Sequence, residues 1–295
     1  MGNKKKLVTL VLSFGFLGIL QNLSLAGPAE PHQLYCYSIM VEENITLFPG
    51  CSLQGYDSRT GEIGFPIVIG TNSTENGSVY LSNRVLVDGD IAVGTGANLD
   101  AVVETKKNSI ITGVVFNLAI PFQFIPITIP MFEGPDLDIT AKGETIVIDA
   151  SGNGDYANGR YDSITLSSKS NMPGKLQIAG DVVLHVTGDI NMSRESEIEI
   201  LEDSSLRIFL DGDLNAATIN KSSMIPANFI LYGTNQQSQI MLLKKDFFGI
   251  IYAPKGEVNV SRNTNVYGAI AAYDFEMKQD ARFYYDLDLC ALVPY

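Results

Sequence analysis

The sequence predicts an all-β protein whose strands form a parallel β-helix, or β-solenoid. Glycine is abundant, at 27 residues, and tryptophan is absent, while Val, Ile and Thr recur in short runs that favour strands. After Pro31, runs with apolar residues at every second position alternate with turns rich in Gly, Asp, Asn and Ser. No helical spacing of apolar residues is found beyond Ala26, and parts of the pattern repeat along the chain.

Residues 1–26 have the pattern of a secretory signal peptide. Three lysines at positions 4–6 precede an apolar run at positions 7–20, and Ala26 provides the small residue needed for cleavage. An uncleaved membrane anchor is the alternative, although the apolar run is short for a bilayer span. The sequence therefore predicts three segments, which are a signal peptide (1–26), a lead-in or cap segment (27–62) and a single elongated solenoid domain (63–295).

The chain is strongly acidic. It has 33 Asp and Glu residues against 20 Lys and Arg, for a net charge of −13, and removal of three lysines with the signal peptide makes the mature charge −16. Such a charge repels nucleic acid and anionic lipid surfaces, so we expect neither as a partner. We also expect no transmembrane domain after signal cleavage. The protein is expected to be secreted, periplasmic or on the surface of a bacterium.

Two neighbouring segments repeat with a period that suits one coil of a β-helix. The Gly-Asp pair at positions 188–189 recurs at positions 212–213, and each pair follows an alternating strand-like run. Alternation puts three aliphatic side chains of each run on one side of the strand. These sets are Val182, Leu184 and Val186 in the first run and Leu206, Ile208 and Leu210 in the second. We predict a right-handed parallel β-helix; a β-sandwich is the alternative, because its strands alternate in the same way.

The most specific repeat lies near the C-terminus. The segments FGIIYA (248–253) and YGAIAA (267–272) share an aromatic residue, a glycine, an isoleucine and an alanine. Two successive parallel coils would place Gly249 beside Gly268. The alternative is an antiparallel meander in which the same segments pair as hairpins.

Aromatic residues accompany this repeat. If the coils are parallel, Phe248 stacks near Tyr267. Phe283 and Tyr284 then lie on the next coil, which we expect to close the end of the solenoid, since an open end needs protection.

Residues 110–132 are apolar enough to be mistaken for a membrane span, but their prolines contradict that interpretation. Pro121, Pro126 and Pro130 would break a helix and cannot donate hydrogen bonds to a sheet. We therefore expect residues 120–130 to form an extended segment that packs over the solenoid. An exposed apolar patch for a partner is the alternative.

Three cysteines remain after the predicted cleavage: Cys36, Cys51 and Cys290. An oxidising compartment favours disulfide formation. Cys36 and Cys51 flank a short strand-like segment, so we expect these two to pair, although the sequence alone leaves the connectivity open. The cysteines do not have the spacing of a zinc site.

Six segments between residues 158 and 288 carry a resemblance to a known family. They are GRYDSI (159–164), VTGDI (186–190), NFILY (228–232), FGIIYAP (248–254), VYGAI (266–270) and FYYD (283–286). The pattern resembles an uncharacterised bacterial domain of β-solenoid form found in secreted and pilus-associated envelope proteins. It is distantly similar to choice-of-anchor type A surface domains, and it extends loosely over residues 63–130. The resemblance implies an envelope location and supplies no catalytic residues. The sequence lacks the C-terminal sorting tail of the anchored relatives, so the resemblance does not imply surface attachment.

No residue pattern points to catalysis. The chain has two histidines: His32 lies in the proline-rich lead-in, and His185 is expected on the solvent side of a strand. No GxSxG, HExxH or glycine-rich phosphate loop occurs in the sequence. We therefore name no catalytic and no cofactor-binding residues.

Aspartates at the Gly-Asp turns are candidate metal ligands. If the coils stack, Asp189 and Asp213 lie at the same corner, where carboxylates and carbonyls could hold Ca²⁺. The alternative is ordinary turn chemistry, in which aspartate side chains accept hydrogen bonds from nearby amides. The loop at residues 149–162 is also rich in Asp and Asn but lacks the EF-hand spacing.

Two classes of function fit these features. The first is a non-catalytic protein of the cell envelope, adhesive or structural, with pilus or other envelope components or extracellular polymers as partners. The second is a polysaccharide lyase or hydrolase, because β-helices often carry such enzymes. The missing tryptophan and the scarcity of histidine favour the first class. Ice binding, a third solenoid function, would need a regular Thr-x-Thr ladder, which the sequence does not show.

Overall fold

The computed structural model describes residues 36–132, 137–235 and 239–291. These residues belong to one compact unit, Pro31–Tyr295, and contain 27 strands joined in one sheet. In the described part, strand pairing is parallel except for a hairpin between β3 (Ser52–Tyr56) and β4 (Ile63–Phe65). The prediction of an all-β parallel solenoid is confirmed. The right-handed winding stays a prediction, which agrees with the general preference of parallel crossover connections. The predicted signal peptide lies outside the described residues.

The coils wind around three faces. Face 1 contains, in the order of their pairing, β11 (Val115–Asn117), β8 (Gly89–Val93), β5 (Ile67–Thr71), β1 (Ile39–Val41), β26 (Asn265–Met277), β25 (Phe247–Val260), β23 (Phe229–Gly233), β20 (Ser205–Leu210), β17 (Asp181–Val186) and β14 (Gly159–Tyr161). The long strands β25 and β26 bend at the corners and take part in all three faces.

The other two faces are built in the same way. Face 2 contains β9 (Val103–Thr105), β6 (Val79–Leu81), β2 (Ile45–Leu47), β26, β25, β24 (Gln239–Leu243), β21 (Leu214–Ala216), β18 (Ile190–Met192), β15 (Ser163–Ser167) and β12 (Asp138–Lys142). Face 3 contains β10 (Ile110–Ile111), β7 (Leu86–Val87), β3, β27 (Arg282–Asp286), β26, β25, β22 (Thr218–Ile219), β19 (Glu197–Ile200), β16 (Lys175–Ala179) and β13 (Thr145–Asp149).

In the described ranges, the helical elements are short connections. These are α1 (Leu99–Val102), α2 (Asp288–Ala291) and a 3-10 turn (Pro226–Asn228). Within the described ranges, none of the helices has the length and apolar character to cross a membrane.

Alternating aliphatic residues build the interior, as the sequence predicts. Leu184 of β17 lies opposite Ile208 of β20 in parallel register. All members of the two predicted interior sets are completely buried. Removing aliphatic surface from water in every coil supplies the main stabilising free energy of such a stack.

The C-terminal repeat forms two parallel coils. Gly249 lies beside Gly268, and Phe248 stacks on Tyr267 with ring centroids 4.3 Å apart. Gly268 has a φ of +138°, and a Cβ there would lie 1.8 Å from the carbonyl oxygen of Gly249. Only glycine fits this position. The antiparallel meander is therefore wrong.

The coils do not stack in the order of the sequence. The first coil, β1 to β3, pairs with β5 to β7 on one side and with β26 and β27 on the other. The described part of the chain thus begins in the middle of the stack, builds coils towards one end, crosses to the other end and returns to the middle. Residues 39–56, within the expected lead-in or cap segment, therefore form a full solenoid coil.

One expectation about the last coil is wrong. Phe283 and Tyr284 do not close an end of the solenoid, because β27 pairs on both sides. Phe283 lies opposite Val266 on one side and opposite Leu53 of the first coil on the other. A local repeat reveals neighbouring coils but not a partner from the opposite half of the sequence.

The chain crosses from one end of the stack to the other after β11. Nine strand spacings of about 4.8 Å make about 43 Å, a distance that the chain between β11 and β12 can span at about 3.3 Å for each residue. We call residues 118–132 the strap. The Asn72 side chain makes two hydrogen bonds to the backbone of Phe122, and the Tyr252 hydroxyl donates to the Ile125 carbonyl oxygen at 2.6 Å. The expected extended cover segment is confirmed.

The corner between face 2 and face 3 explains why Cys51 does not form a disulfide. Five successive turns there contain a residue in the left-handed region, such as Gly50 or Arg84, and the next residue points inward. Stacked backbone hydrogen bonds align these inward residues in one column, which contains Thr264, Ala281, Cys51, Val85 and Ser109. Cys51 is fully buried and free, and burial raises the pKa of its thiol to about 11.

The disulfide joins Cys36 to Cys290, so the predicted Cys36–Cys51 pairing is wrong. Cys36 precedes β1 at the start of face 1, whereas Cys51 lies at the corner between faces 2 and 3. Cys290 arrives beside Cys36 because β27 stacks on β3 and α2 follows it. Cys36 and Cys51 are thus close in sequence but lie at different corners of the coil.

Candidate binding face

The middle of face 1 is covered by the strap. Its outward side chains would be exposed in a bare solenoid, but Met40 and Ala92 are completely buried and Tyr252 is 3% exposed. Phe124 of the strap lies over Tyr252, with ring centroids 6.4 Å apart, and contacts the ring of Phe122. The middle of this face has little surface left for a ligand.

Face 2 has the opposite character. Strand register aligns ten outward residues in one uninterrupted column across the stack, and nine of them have a side chain able to form hydrogen bonds. The column consists of Thr140, Thr165, Asn191, Asn215, Leu242, Asn259, Glu276, Thr46, Tyr80 and Glu104. All ten are exposed or half-buried. We call this column and its outward neighbours the polar face.

A second row of the polar face is acidic. It lies at the corner with face 1 and on the adjoining strand positions, and it contains Asp138, Asp189, Asp213, Glu257 and Asp274. Neighbouring strands are about 4.8 Å apart along the stack, so successive residues of each row follow at this spacing. The polar face therefore offers donors and acceptors at a regular spacing, beside negative charge.

The corner aspartates already have backbone partners. A carboxylate oxygen of Asp189 accepts a hydrogen bond from the amide of Asp213 at 2.9 Å, and Asp213 in turn accepts from the amide of Ile240 at 2.8 Å. Asp90 does the same for Val114. Within the described residues, no group of three or more His, Cys, Asp or Glu could hold a metal ion. The geometry is that of turn chemistry between successive coils, and it gives Ca²⁺ no support.

One of the two histidines, His185, lies in the described part of the chain. His185 lies on the outward side of β17, half-buried rather than fully exposed, and its Nε2 is 3.0 Å from a carboxylate oxygen of Asp211 on the next coil. The Asp211 carboxylate also accepts from the Thr234 hydroxyl. This pair links two neighbouring coils on face 1. His32 lies outside the described residues.

Face 3 carries a stack of aromatic rings. Tyr267 stacks on Phe248 and on Tyr284, with centroids 4.3 and 4.7 Å apart, and Tyr56 meets Tyr267 edge-on at 5.4 Å. Burial raises the pKa of Tyr56, whose hydroxyl oxygen is buried and has no hydrogen-bond partner. The ring faces are occupied by one another, so this cluster stabilises the junction of coils and offers no stacking platform.

A cavity of about 710 Å³ lies at the corner between face 3 and face 1. Its walls combine hydroxyl groups, carboxylates and a few apolar side chains, including Ser205, Asp181 and Ile225. The Ser205 hydroxyl donates to Asp181 at 2.7 Å, and Ser222 donates to the Ile200 carbonyl oxygen. These polar groups satisfy one another, so the polar face is the stronger candidate.

Sequence reasoning found the alternation of the strands but missed the polar face. An outward column becomes visible only when the register of all its strands is known, and coil lengths vary from one turn to the next. The step along the chain from Thr165 to its neighbour Asn191, for example, is longer than the step from Asn259 to Glu276. The column also continues from Glu276 to Thr46, a step that no local repeat could reveal.

The described residues thus form a three-faced parallel β-solenoid in which one face is partly covered and the polar face is open. Residues 136–292 match the model of a family described as a domain of unknown function, DUF7305. The chain belongs to this family. The predicted resemblance to an uncharacterised domain family is thereby confirmed, whereas the likeness to choice-of-anchor domains stays a prediction.

Solved structures add remote similarities. A glycosylated ice-binding protein from an Arctic yeast (LeIBP) is 13% identical with a TM-score of 0.39, over 85% of this chain and 91% of that chain. An ice-binding protein from the Antarctic ascomycete Antarctomyces psychrotrophicus is 12% identical with a TM-score of 0.32, over 86% and 96%. The competence-associated pilin ComZ from Thermus thermophilus is 10% identical with a TM-score of 0.27, over 84% and 69%. Similarities of this size carry no argument about function. No curated protein matches the sequence.

Proposed function

We propose that the protein is a non-catalytic, secreted or cell-envelope solenoid with an adhesive or structural role, and that it binds its partner through the polar face. The partners are pilus or other envelope components or extracellular polymers. The observation that carries this proposal is the uninterrupted outward column of face 2, which stays accessible along the stack while the strap covers the middle of face 1. An extended polymer can form hydrogen bonds with the side chains of successive coils on such a face.

Two further observations support a life outside the cytoplasm. The Cys36–Cys290 disulfide is typical of oxidising compartments, and residues 1–26 have the pattern of a signal peptide. N-terminal sequencing of exported protein should find Gly27 as the first residue. A mature chain that begins at Met1 would show that the N-terminal segment is retained.

Co-sedimentation tests the binding face directly. Purified mature protein is mixed with peptidoglycan sacculi, isolated pili, and insoluble uronate and neutral polysaccharides. The double variant T140R/N191R places two bulky cations on the polar face, and T145R places one on β13 of face 3 as a control. We expect retention by at least one polymer, reduced about tenfold in T140R/N191R, which corresponds to about 1.4 kcal/mol, and unchanged in T145R.

Two results would contradict the proposal. Equal retention of both variants, or no retention of the wild-type protein by any of the polymers, would show that the polar face is not the binding site. Depolymerisation of a polysaccharide that a single carboxylate substitution abolishes would show an enzyme instead.

A further inference from the structure

The two ends of the stack differ in how they are finished. At the end formed by β12 to β14, which we call the capped end, the loop after β13 folds back along that strand. Asp155 exchanges hydrogen bonds with Val147 through its amide and its carboxylate, and the amide of Asp149 donates to Tyr156. Ile139 and Ile148, interior residues of this last coil, are completely buried.

At the end formed by β9 to β11, which we call the free end, none of the described residues forms such a cover. In the described residues each of these three strands pairs on one side only. Ile111 and Val115 point into the interior but are only half-buried. On the rim, the exposed fractions are 56% for Ile110, 62% for Val114 and 36% for Phe116. An unpaired strand edge with exposed apolar side chains is a template for strand pairing with another chain.

The apolar side chains of the free end are symmetric in sequence about the corner between face 3 and face 1. Gly113 lies at the centre. Ile110 and Phe116 are equally far from it on either side, and so are Ile111 and Val115. An interface with two-fold symmetry brings a surface patch against itself, so this order is self-complementary.

The charges of β9 have the same symmetry. Glu104 and Lys106 flank Thr105 and point outward on face 2, where they form an ion pair within the chain. If β9 pairs antiparallel with a second copy of itself about Thr105, Glu104 of each copy lies opposite Lys106 of the other. Opposite charges at directly facing positions stabilise an antiparallel pair.

We propose that two copies of this chain join free end to free end about a two-fold axis. An axis through the middle of face 2 and the opposite corner exchanges faces 1 and 3. It therefore satisfies both symmetries at once, because β9 meets β9 of the second copy while β10 meets β11. Ile110 of each copy then packs against Phe116 of the other. The dimer continues the sheet across the junction and buries the exposed rim.

The capped end argues against the other way in which copies could stack. Head-to-tail assembly would require the free end to pair with β12 to β14, but the loop at residues 154–156 already occupies the outer edge of β13. Assembly therefore stops at two copies and does not continue into a filament. Glu104 is also the last member of the polar column, but this inference does not depend on any ligand of the polar face.

Charge exchange provides a specific test by sedimentation velocity. Wild-type mature protein should show a concentration-dependent monomer–dimer equilibrium. E104K alone places lysine opposite lysine, and K106E alone places glutamate opposite glutamate, so each should dimerise about tenfold more weakly or worse. An equimolar mixture of the two variants should recover the dimer, because every facing pair is then opposite in charge. The double variant E104K/K106E should also dimerise.

Controls separate this interface from effects on folding. F116D should abolish the dimer, whereas K142E, on the capped end, should leave it intact, and the thermal unfolding of all variants is measured alongside. Wild-type protein that stays monomeric into the high micromolar range would overturn the proposal. A dimer that E104K, K106E and F116D leave unchanged, or a mixture of E104K and K106E that stays monomeric, would overturn it equally.

Discussion

The corner between face 2 and face 3 shows how single residues are chosen by their position in a coil. The inward residue that follows the left-handed turn residue has room only for a small or short side chain, as with Ala281 and Cys51. Thr264 occupies the same column and is 1% exposed, but its hydroxyl oxygen is buried and has no hydrogen-bond partner. A buried polar group without a partner lowers stability.

Replacement of Thr264 should therefore stabilise the protein. Thr264→Val keeps the shape of the side chain and removes the unsatisfied hydroxyl, so we expect the free energy of unfolding to rise by about 1 kcal/mol. Urea unfolding at constant m-value measures the change. Thr264→Ser, which keeps the hydroxyl and loses a methyl group, should instead lower the stability. A loss of stability in Thr264→Val would show that the hydroxyl has a partner in solution.

At the scale of elements, the strap buries outward side chains in the middle of face 1. Tyr252 links face 1 to the strap, because its ring packs under Phe124 and its hydroxyl donates to the Ile125 carbonyl oxygen. Burial raises the pKa of Tyr252 to about 12, so the hydroxyl keeps its proton and remains a donor at neutral pH.

Loss of this hydrogen bond should loosen the strap. Tyr252→Phe leaves the Ile125 carbonyl oxygen without its donor, and we expect a loss of about 1 kcal/mol of stability together with faster proteolysis within the strap. Mass spectrometry of limited digests locates the cleavage sites. Tyr80→Phe, on the polar face, removes a hydroxyl that does not contact the strap and should change neither quantity. Equal digestion rates for Tyr252→Phe and the wild-type protein would show that ring packing alone holds the strap.

At the scale of the whole molecule, the first and the last described strands, β1 and β27, both lie in the middle of the stack. The first coil joins the coils built before the strap to those built after it. The disulfide links residues on either side of this junction with a sequence separation of 254. A crosslink of such long range restricts the unfolded chain strongly.

Removal of the disulfide should destabilise the folded protein measurably. We expect C36S/C290S to lose about 2–4 kcal/mol in the free energy of unfolding, and a reductant to lower the stability of the wild-type protein to a similar level. Denaturant unfolding with and without reductant tests both statements. Cys51→Ala is the control, since it should leave the sensitivity to reductant unchanged. A non-reduced digest in which Cys51 is crosslinked would contradict the pairing.

The sequence by itself determined the class of fold and the interior. Alternation identified the inward residues of β17 and β20, and the glycines of the C-terminal repeat indicated parallel coils, because both signals arise from neighbouring strands with local spacing. The prolines of residues 120–130 likewise excluded a helix and predicted an extended cover. These features depend on steric and hydrophobic preferences that each segment carries on its own.

Only the tertiary structure decided which distant parts of the chain meet. The pairing of β27 with β3 places Cys290 beside Cys36, leaves Cys51 inside a corner, and makes the last coil internal. The pairing of β26 with β2 joins the two halves of the polar column between Glu276 and Thr46. Strand edges are interchangeable in their hydrogen bonds, so no local pattern specifies which edge pairs with which. Which edges pair is decided by which coils cover one another's exposed ends in the assembled stack.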